Sequence, residues 1–191
     1  MSAMAQEGGI RPGAARTRLV VNFVAFQAGW FACVLGAAHG WPVAGTAIAC
    51  IIVAAHILMA RQPREELMLV AIAVAIGLIW DSSLLAMGWI GFTSGFVVEG
   101  IAPHWIVALW ALFAMTLNVS LRWLKSRIAL AAIMGAIAGP LAYWGGARLG
   151  AVSFVEPVLG TVALSIGWAV LTPALALIAR RFDGIDPVAS S

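Results

Sequence analysis

Six long apolar runs, separated by short polar connections, set the pattern of this chain. None of the runs alternates apolar and polar residues as the strands of a membrane β-barrel do. They therefore predict helices, which satisfy their own backbone hydrogen bonds in lipid. About 20 helical residues cross the hydrocarbon core of a bilayer. The runs lie near residues 19–38, 42–60, 67–88, 103–121, 128–146 and 158–179. The pattern predicts an all-α, polytopic membrane protein, a bundle of six transmembrane helices.

Composition supports lipid as the solvent. Of the 191 residues, 63% are hydrophobic and only 10% are charged, whereas soluble domains are about half apolar and a quarter charged. The length leaves no room for a sizeable soluble domain. We expect one six-helix transmembrane domain over residues 17–182, with disordered cytoplasmic tails at 1–16 and 183–191.

Positive charge is distributed unequally between the two sides of this bundle. One side receives Arg11, Arg16, Arg18, Arg61, Arg64, Arg122, Lys125, Arg127, Arg180 and Arg181. The opposite side receives Arg148 alone. Lys and Arg are retained in the cytoplasm, so both termini are predicted to be cytoplasmic. Because the basic residues cluster at segment ends, we interpret the net charge of +3 as a topology signal and expect no nucleic acid partner.

Asp81 is the most informative polar residue, because a carboxyl group inside a membrane is costly. It lies fourteen residues beyond Leu67 in the third segment, about 21 Å from the cytoplasmic side at the rise of an α-helix. Arg148 is the only positive charge on the outer side. Two interpretations stay open: a structural ion pair with Arg148, or a role in proton handling or ligand binding.

Other polar groups are expected at the same outer depth. The candidate ligand-binding set is Asp81, His104, Tyr143, Arg148, His39 and Glu99. Together they predict a pocket for the head group of a lipid or similar amphiphile. No segment carries His-x-x-x-His or Glu-x-x-His spacing, so we predict neither a metal site nor a cofactor.

A second polar set lies in the inner half of the bundle. Its main members are Asn22, His56, Asn118 and Thr172. Such groups form hydrogen bonds across helices, and we interpret them as mainly structural. In the fifth segment, Gly135 and Gly139 are four residues apart, which predicts close helix contact.

Several phrases together resemble a family of small bacterial inner-membrane proteins, domain of unknown function 2878. They are NFVAFQAGWF at 22–31, APHW at 102–105, LW at 109–110, TLN at 116–118 and GPLAY at 139–143. The resemblance implies location in the bacterial inner membrane. It also implies a loose association with membrane-lipid modification or stress response, and a fatty-acid-modifying enzyme as partner. It supplies no catalytic residues.

Three functional hypotheses follow. The first is a protein that binds a membrane lipid or amphiphile in the outer pocket. The second is a small proton-coupled transporter with Asp81 as the proton carrier and Pro140 and Pro173 as hinges. The third is a scaffold that docks a partner enzyme through residues 122–127. Catalysis is left open, since the chain carries neither a phosphate-binding loop nor a dinucleotide fingerprint.

Overall fold

Six α-helices make up most of the part that the computed structural model describes, residues 12–186. They are α1 (Pro12–Ala38), α2 (Pro42–Leu58), α3 (Pro63–Ala86), α4 (His104–Leu117), α5 (Ile128–Arg148) and α6 (Pro157–Arg181). The described part also contains two short strands, β1 (Ile90–Phe92) and β2 (Val152–Phe154), and a 3₁₀ helix, Arg122–Ser126. Pro42, Pro63 and Pro157 stand at helix starts, where a missing N–H costs nothing. The predicted helical fold class is confirmed.

Four of these helices are long and apolar enough to cross a membrane. They are Arg16–Ala38 within α1, then α3, α5 and α6. Helix α2 has 17 residues and α4 has 14, so both are shorter than a span. Helix α4 is the central helix, with Trp105, Trp110 and Leu112 among its buried residues. Because protein surrounds this short helix, the non-helical backbone next to it is shielded from lipid.

The outward surface of the bundle is apolar. Val20, Ile51, Ile79, Ile137 and Ile166, on five different helices, are each more than half exposed. A soluble protein rarely exposes large continuous apolar areas, and a helix that is hydrophobic on all sides is typical of a membrane span. The chain is therefore a multi-pass membrane protein by composition and by the placement of its apolar side chains.

Close helix contacts depend on glycine. A Cβ atom on Gly135 would lie 2.1 Å from the backbone oxygen of Trp168, and one on Gly139 would lie 2.3 Å from the Trp168 ring. Helix α5 therefore packs directly on α6 at these positions, as the spacing predicts. Gly45 has the same role between α2 and α1, where a Cβ would lie 2.3 Å from the Ala32 oxygen.

The basic helix ends meet at one end of the bundle. Arg18 at the start of α1 forms an ion pair of 2.8 Å with Asp186 beyond α6. The Gln62 N–H donates to the Gly184 oxygen at 2.9 Å. The Arg180 guanidinium donates to the Lys125 oxygen. Both ends of the described chain thus lie at the same end of the bundle.

The opposite end carries a small two-stranded antiparallel sheet. Strand β1 pairs antiparallel with β2, with Ile90 opposite Phe154. Beyond β1, the Ser94 hydroxyl donates to the Ala37 oxygen at 2.8 Å, and the Trp105 indole N–H donates to the Ser94 oxygen at 2.9 Å. These hydrogen bonds hold the connection between α3 and α4 against this end of the bundle.

The predicted tail boundaries differ from the structure. Helix α1 begins at Pro12, so residues 12–16 are helical, and residues 1–11 lie outside the described residues. After α6, Asp183 and Ile185 are each 7% exposed. Asp183 accepts hydrogen bonds from Arg122 and Lys125, and the Ile185 N–H donates to Asp183 Oδ1. The structure therefore packs residues 183–186 against the bundle, and residues 187–191 lie outside the described part.

Candidate functional site

A cavity of about 470 Å³ lies between α1, α4, α5 and α6. On α1 it extends from Phe23 to Val34, a length of about 16 Å at the rise of an α-helix. Its wall is largely aromatic and aliphatic, and the aromatic members are Phe23, Phe26, Trp30, Trp105, Trp110, Phe113, Tyr143 and Trp168. An elongated apolar space of this size fits a hydrocarbon chain better than a polar solute.

Few polar side chains reach this cavity. They are Gln27, Thr116, Ser120, Tyr143 and Thr172, apart from the indole groups. No Asp, Glu, Lys, Arg or His belongs to its wall as described over residues 12–186. The Ser120 hydroxyl donates to the Asn22 side-chain oxygen at 2.7 Å, and the Thr116 hydroxyl donates to the Phe113 oxygen at 2.6 Å. The cavity is therefore nearly uncharged and offers few polar positions.

Asp81 lies directly behind two rings of the cavity wall. Its side chain on α3 is fully buried. The Trp110 indole N–H donates to Asp81 Oδ2 at 2.7 Å, and the Tyr143 hydroxyl donates to Oδ1. Trp110 in turn stacks on Trp168, with ring centroids 4.7 Å apart. A Cβ on Gly77 would collide with the Trp110 ring at 2.1 Å, so this glycine makes room for the indole that binds Asp81.

The predicted outer pocket does not form as one site. Of its six residues, only Asp81 and Tyr143 meet. No ion pair joins Asp81 to Arg148 among the described residues, so of the two interpretations left open the structure does not show the ion pair. Asp81 faces the rings of α4 and α5 in the interior, whereas Arg148 is exposed at the last turn of α5.

The remaining members of that set lie apart. His104 Nδ1 and the Thr46 hydroxyl are 2.7 Å apart, which joins α4 to α2. His39 Nδ1 lies 2.9 Å from the Leu35 oxygen of its own helix. Glu99 borders a separate hollow with Leu85 and Phe96. The structure therefore brings together only Asp81 and Tyr143 of the six residues, and ligand binding by this set stays a prediction.

The inner polar set forms hydrogen bonds between helices at three of its four positions. Asn22 Nδ2 donates to the Met115 oxygen at 3.2 Å and joins α1 to α4. His56 and Asn118 both contact one buried carboxylate. The Thr172 hydroxyl has no hydrogen-bond partner in the described residues and packs against Gly135.

That carboxylate, Glu66, is the residue that sequence reasoning missed. It is fully buried at the start of α3. Its Oε2 lies 2.8 Å from His56 Nε2. Its Oε1 accepts from Asn118 Nδ2 at 2.6 Å and from the Gly184 N–H at 2.9 Å. Glu66 therefore binds α2, the end of α4 and the chain beyond α6 at a single point.

Beside Glu66 lies a group of paired charges. Lys125 donates to Asp183 at 3.0 Å and also to the Asn118 side-chain oxygen, and Arg122 contacts Asp183 at 2.7 Å. Burial lowers the pKa of Lys125, although Asp183 acts to raise it. Burial alone would raise the pKa of Asp183, but the Asp186 N–H, Lys125 and Arg122 outweigh burial and hold that pKa below its ordinary 3.8. We call Glu66, Asn118, Arg122, Lys125 and Asp183 the inner charge cluster.

No metal site is present in the described part of the chain, since no three His, Cys, Asp or Glu side chains group there in a way that would hold an ion.

Comparison with protein families identifies the family of this chain. A family model described as "Protein of unknown function (DUF2878)" matches residues 19–174. No curated protein matches the chain, and no solved structure matches it.

Proposed function

We propose that this protein, which belongs to the DUF2878 family, is a membrane protein that binds a lipid. The hydrocarbon chain of the lipid lies in the cavity between α1 and α5. The observation that carries the proposal is the cavity itself. It is elongated, aromatic and uncharged, and it lies in a bundle whose outer surface is apolar.

Lipid is the ligand that such a cavity meets first. The cavity is bordered by α1 on one side and α5 on the other, while α1 packs on α2 and α4, and α5 packs on α6. Ala138 and Ala142 of α5 belong to its wall and are exposed. A chain entering from the bilayer exchanges one apolar environment for another, so selectivity comes from packing and from the few polar groups.

We further propose that all six helices cross the inner membrane of a bacterium, with both ends in the cytoplasm. The support is that basic residues of four separate connections and tails lie at one end, in agreement with retention of positive charge in the cytoplasm. Arg148 is the exception at the other end. Bound lipid would then be available to a fatty-acid-modifying partner enzyme, the association that the family resemblance implies.

The proposal is tested by filling the cavity. Ala142→Phe places a ring in the cavity wall without removing a core contact, whereas Ala129→Phe makes the same change on an exposed position of α5 outside the wall. Both variants and the wild-type protein are purified in mild detergent and studied by native mass spectrometry with lipidomics. We expect co-purified lipid to fall severalfold in Ala142→Phe only. Equal lipid content in all three proteins would contradict the proposal.

The two alternatives gain less from the geometry. A transporter that uses Asp81 would require movement of Trp110 and Tyr143, because these rings separate the carboxyl from the cavity. A scaffold that docks through residues 122–127 has only Arg127 free of an ion pair among its three basic residues in the described part. Arg122 and Lys125 bind Asp183. Lipid binding requires neither that movement nor these charges.

A further inference from the structure

Gln27 contributes an uncharged amide to the wall of the cavity, deep in the membrane-spanning part of α1. We propose that this amide binds the polar group of the ligand, and that this group is an uncharged carbonyl or hydroxyl attached to a hydrocarbon chain. The inference rests on the proposed function. It adds the chemical class of the ligand, a neutral lipid rather than a phospholipid, and the residue that recognises it.

Gln27 lies on the face of α1 that borders the cavity. Phe23, Gln27, Trp30 and Val34 follow one another at intervals of three or four residues, and all four belong to the wall. Residues with this spacing share one side of a helix. Gln27 is partly buried, and Val34 is fully buried. The Gln27 side chain therefore leaves α1 on its cavity side.

The Gln27 amide is free to bind a ligand. It forms no hydrogen bond with any of residues 12–186. Three other polar side chains of the wall already donate hydrogen bonds within the chain, namely Thr116, Ser120 and Tyr143. The Thr172 hydroxyl has no partner, but its oxygen is enclosed by protein. The Gln27 amide is not among the enclosed atoms, so a group in the cavity can reach it.

The depth of Gln27 excludes the charged head group of a phospholipid. Gln27 lies nine residues after Arg18 and eleven before Ala38, which is roughly 14 Å and 17 Å along the helix. It is therefore near the middle of a hydrocarbon core about 30 Å thick. A phosphate at this depth would need a cation, and the wall contains no Lys, Arg or His over residues 12–186. The group that reaches Gln27 is therefore uncharged.

An amide recognises carbonyl and hydroxyl oxygens. Its NH₂ group donates and its oxygen accepts, so a ligand carbonyl accepts from Gln27 Nε2 and a ligand hydroxyl can also donate to Oε1. An unpaired amide in apolar surroundings costs free energy, and a ligand oxygen removes that cost when it binds. The apolar wall accommodates the rest of the ligand. An isoprenoid quinone and a long-chain alcohol both supply this chemistry.

The test measures the affinities of four ligands by native mass spectrometry of the full-length protein in detergent. They are a short-tailed menaquinone, hexadecanol, phosphatidylglycerol and hexadecane, the oxygen-free match of hexadecanol. We expect the wild-type protein to bind hexadecanol about fivefold more tightly than hexadecane, the contribution of one hydrogen bond. Whichever of hexadecanol and menaquinone binds more tightly identifies the source of the oxygen, and phosphatidylglycerol should bind more weakly than that ligand.

Two matched variants locate the hydrogen bond. Gln27→Leu should bind hexadecanol and hexadecane equally, because it lacks the amide. Gln62→Leu makes the same change at an exposed position outside the wall and should keep the preference for hexadecanol.

Unfolding midpoints distinguish recognition from a structural role. Without added ligand, Gln27→Leu should unfold at the same temperature as the wild-type protein or at a higher one, because an apolar side chain replaces an unpaired amide. A lower midpoint would show that the amide supports the fold, and it would overturn the inference.

The outcomes separate the two proposals. Equal binding of hexadecanol and hexadecane by the wild-type protein, or a preference that persists in Gln27→Leu, overturns the inference while the lipid cavity stands. Tighter binding of phosphatidylglycerol than of both oxygen-bearing neutral ligands has the same consequence. If none of the four ligands binds, the proposed function fails and the inference fails with it. The wild-type comparison needs no variant, so a misfolded Gln27→Leu protein leaves the test intact.

Discussion

Two carboxyl side chains, Asp81 and Glu66, are fully buried, and their surroundings give them different roles. Asp81 contacts two aromatic rings and lies next to the cavity. Glu66 contacts an imidazole, an amide and a backbone N–H, with Lys125 one residue further along the network. Asp81 therefore supports two rings of the cavity wall from behind, and Glu66 joins several elements at the inner end.

Glu66→Ala should destabilise the protein markedly. The substitution leaves Asn118 Nδ2 and the Gly184 N–H without their acceptor, and a buried polar group without a partner costs about 1–3 kcal/mol. The control is Glu65→Ala, since Glu65 makes no side-chain hydrogen bond in the described residues. Thermal unfolding in detergent measures both. Equal midpoints for the two variants would show that Glu66 is not a structural centre.

Acid should weaken the inner charge cluster through Asp183. Its pKa is lowered in the folded protein, so its ionisation stabilises the fold above the ordinary pKa of 3.8, and this contribution is lost as the pH falls through the lowered value. Asp183→Asn should lower the unfolding midpoint at pH 7 and remove part of the decline below pH 4. Asp186→Asn, whose carboxylate is about a third exposed, should change the midpoint little. A wild-type decline that is identical in Asp183→Asn would contradict this assignment.

Neighbouring residues show where sequence reasoning reaches its limit. Glu65 and Glu66 are chemically identical and adjacent, in the first turn of α3, where acidic residues are ordinarily solvated. Glu66 is buried because Gly184, 118 positions away, folds onto it. Asp81 was recognisable, because any carboxyl in an apolar run needs a buried or paired environment. Its partners, Trp110 and Tyr143, lie on other helices and required the structure.

Helices α5 and α6 form the most extensive helix pair among the described residues. Their close packing depends on glycine, which has no side chain. The Gly135–Gly139 spacing predicted this contact, since small residues four apart share one helix face. The pairing of β1 with β2 was not predictable, because each strand has three residues and the partners lie about 60 residues apart. Helix α4 also ends at Leu117, earlier than the apolar run to 121 indicates, since a turn and the 3₁₀ helix follow.

Gly139→Ala should loosen the α5–α6 contact. The added Cβ would meet the Trp168 ring at 2.3 Å, and overpacking of this kind costs about 1–3 kcal/mol. Gly145→Ala is the matched control on the same helix, because its Cβ would lie 3.4 Å from Trp30. We expect the control to be neutral or slightly stabilising, since Ala favours helix. Unfolding midpoints that fall equally would show that the close contact is not required.

At the scale of the whole molecule, the charge pattern was the most informative part of the sequence. It predicted that the start of α1, the end of α6 and the connections 59–62 and 118–127 lie at the same end of the bundle. The contacts of Arg18, Gln62 and Arg180 agree with this prediction. The pattern followed from local counting, because each charge sits at a helix end. The cavity was not predictable, since residues of four helices form it.

The proposed six-span orientation predicts a specific labelling pattern. In a protein with Cys33 and Cys50 replaced by Ala, Ser126→Cys should be protected from a membrane-impermeant thiol reagent in intact cells, and Glu99→Cys should react. Both should react after the membrane is permeabilised, which is the control for accessibility. The reverse pattern, or reaction of both in intact cells, would exclude cytoplasmic ends and six crossings.

The most direct measurement is an electron cryo-microscopy structure of the protein in nanodiscs made with native lipids. We predict elongated density about 16 Å long between α1 and α5, beside Phe23, Trp30 and Ala142. A bundle in which α1 closes onto α5 and leaves no space for a chain would contradict the lipid-binding function.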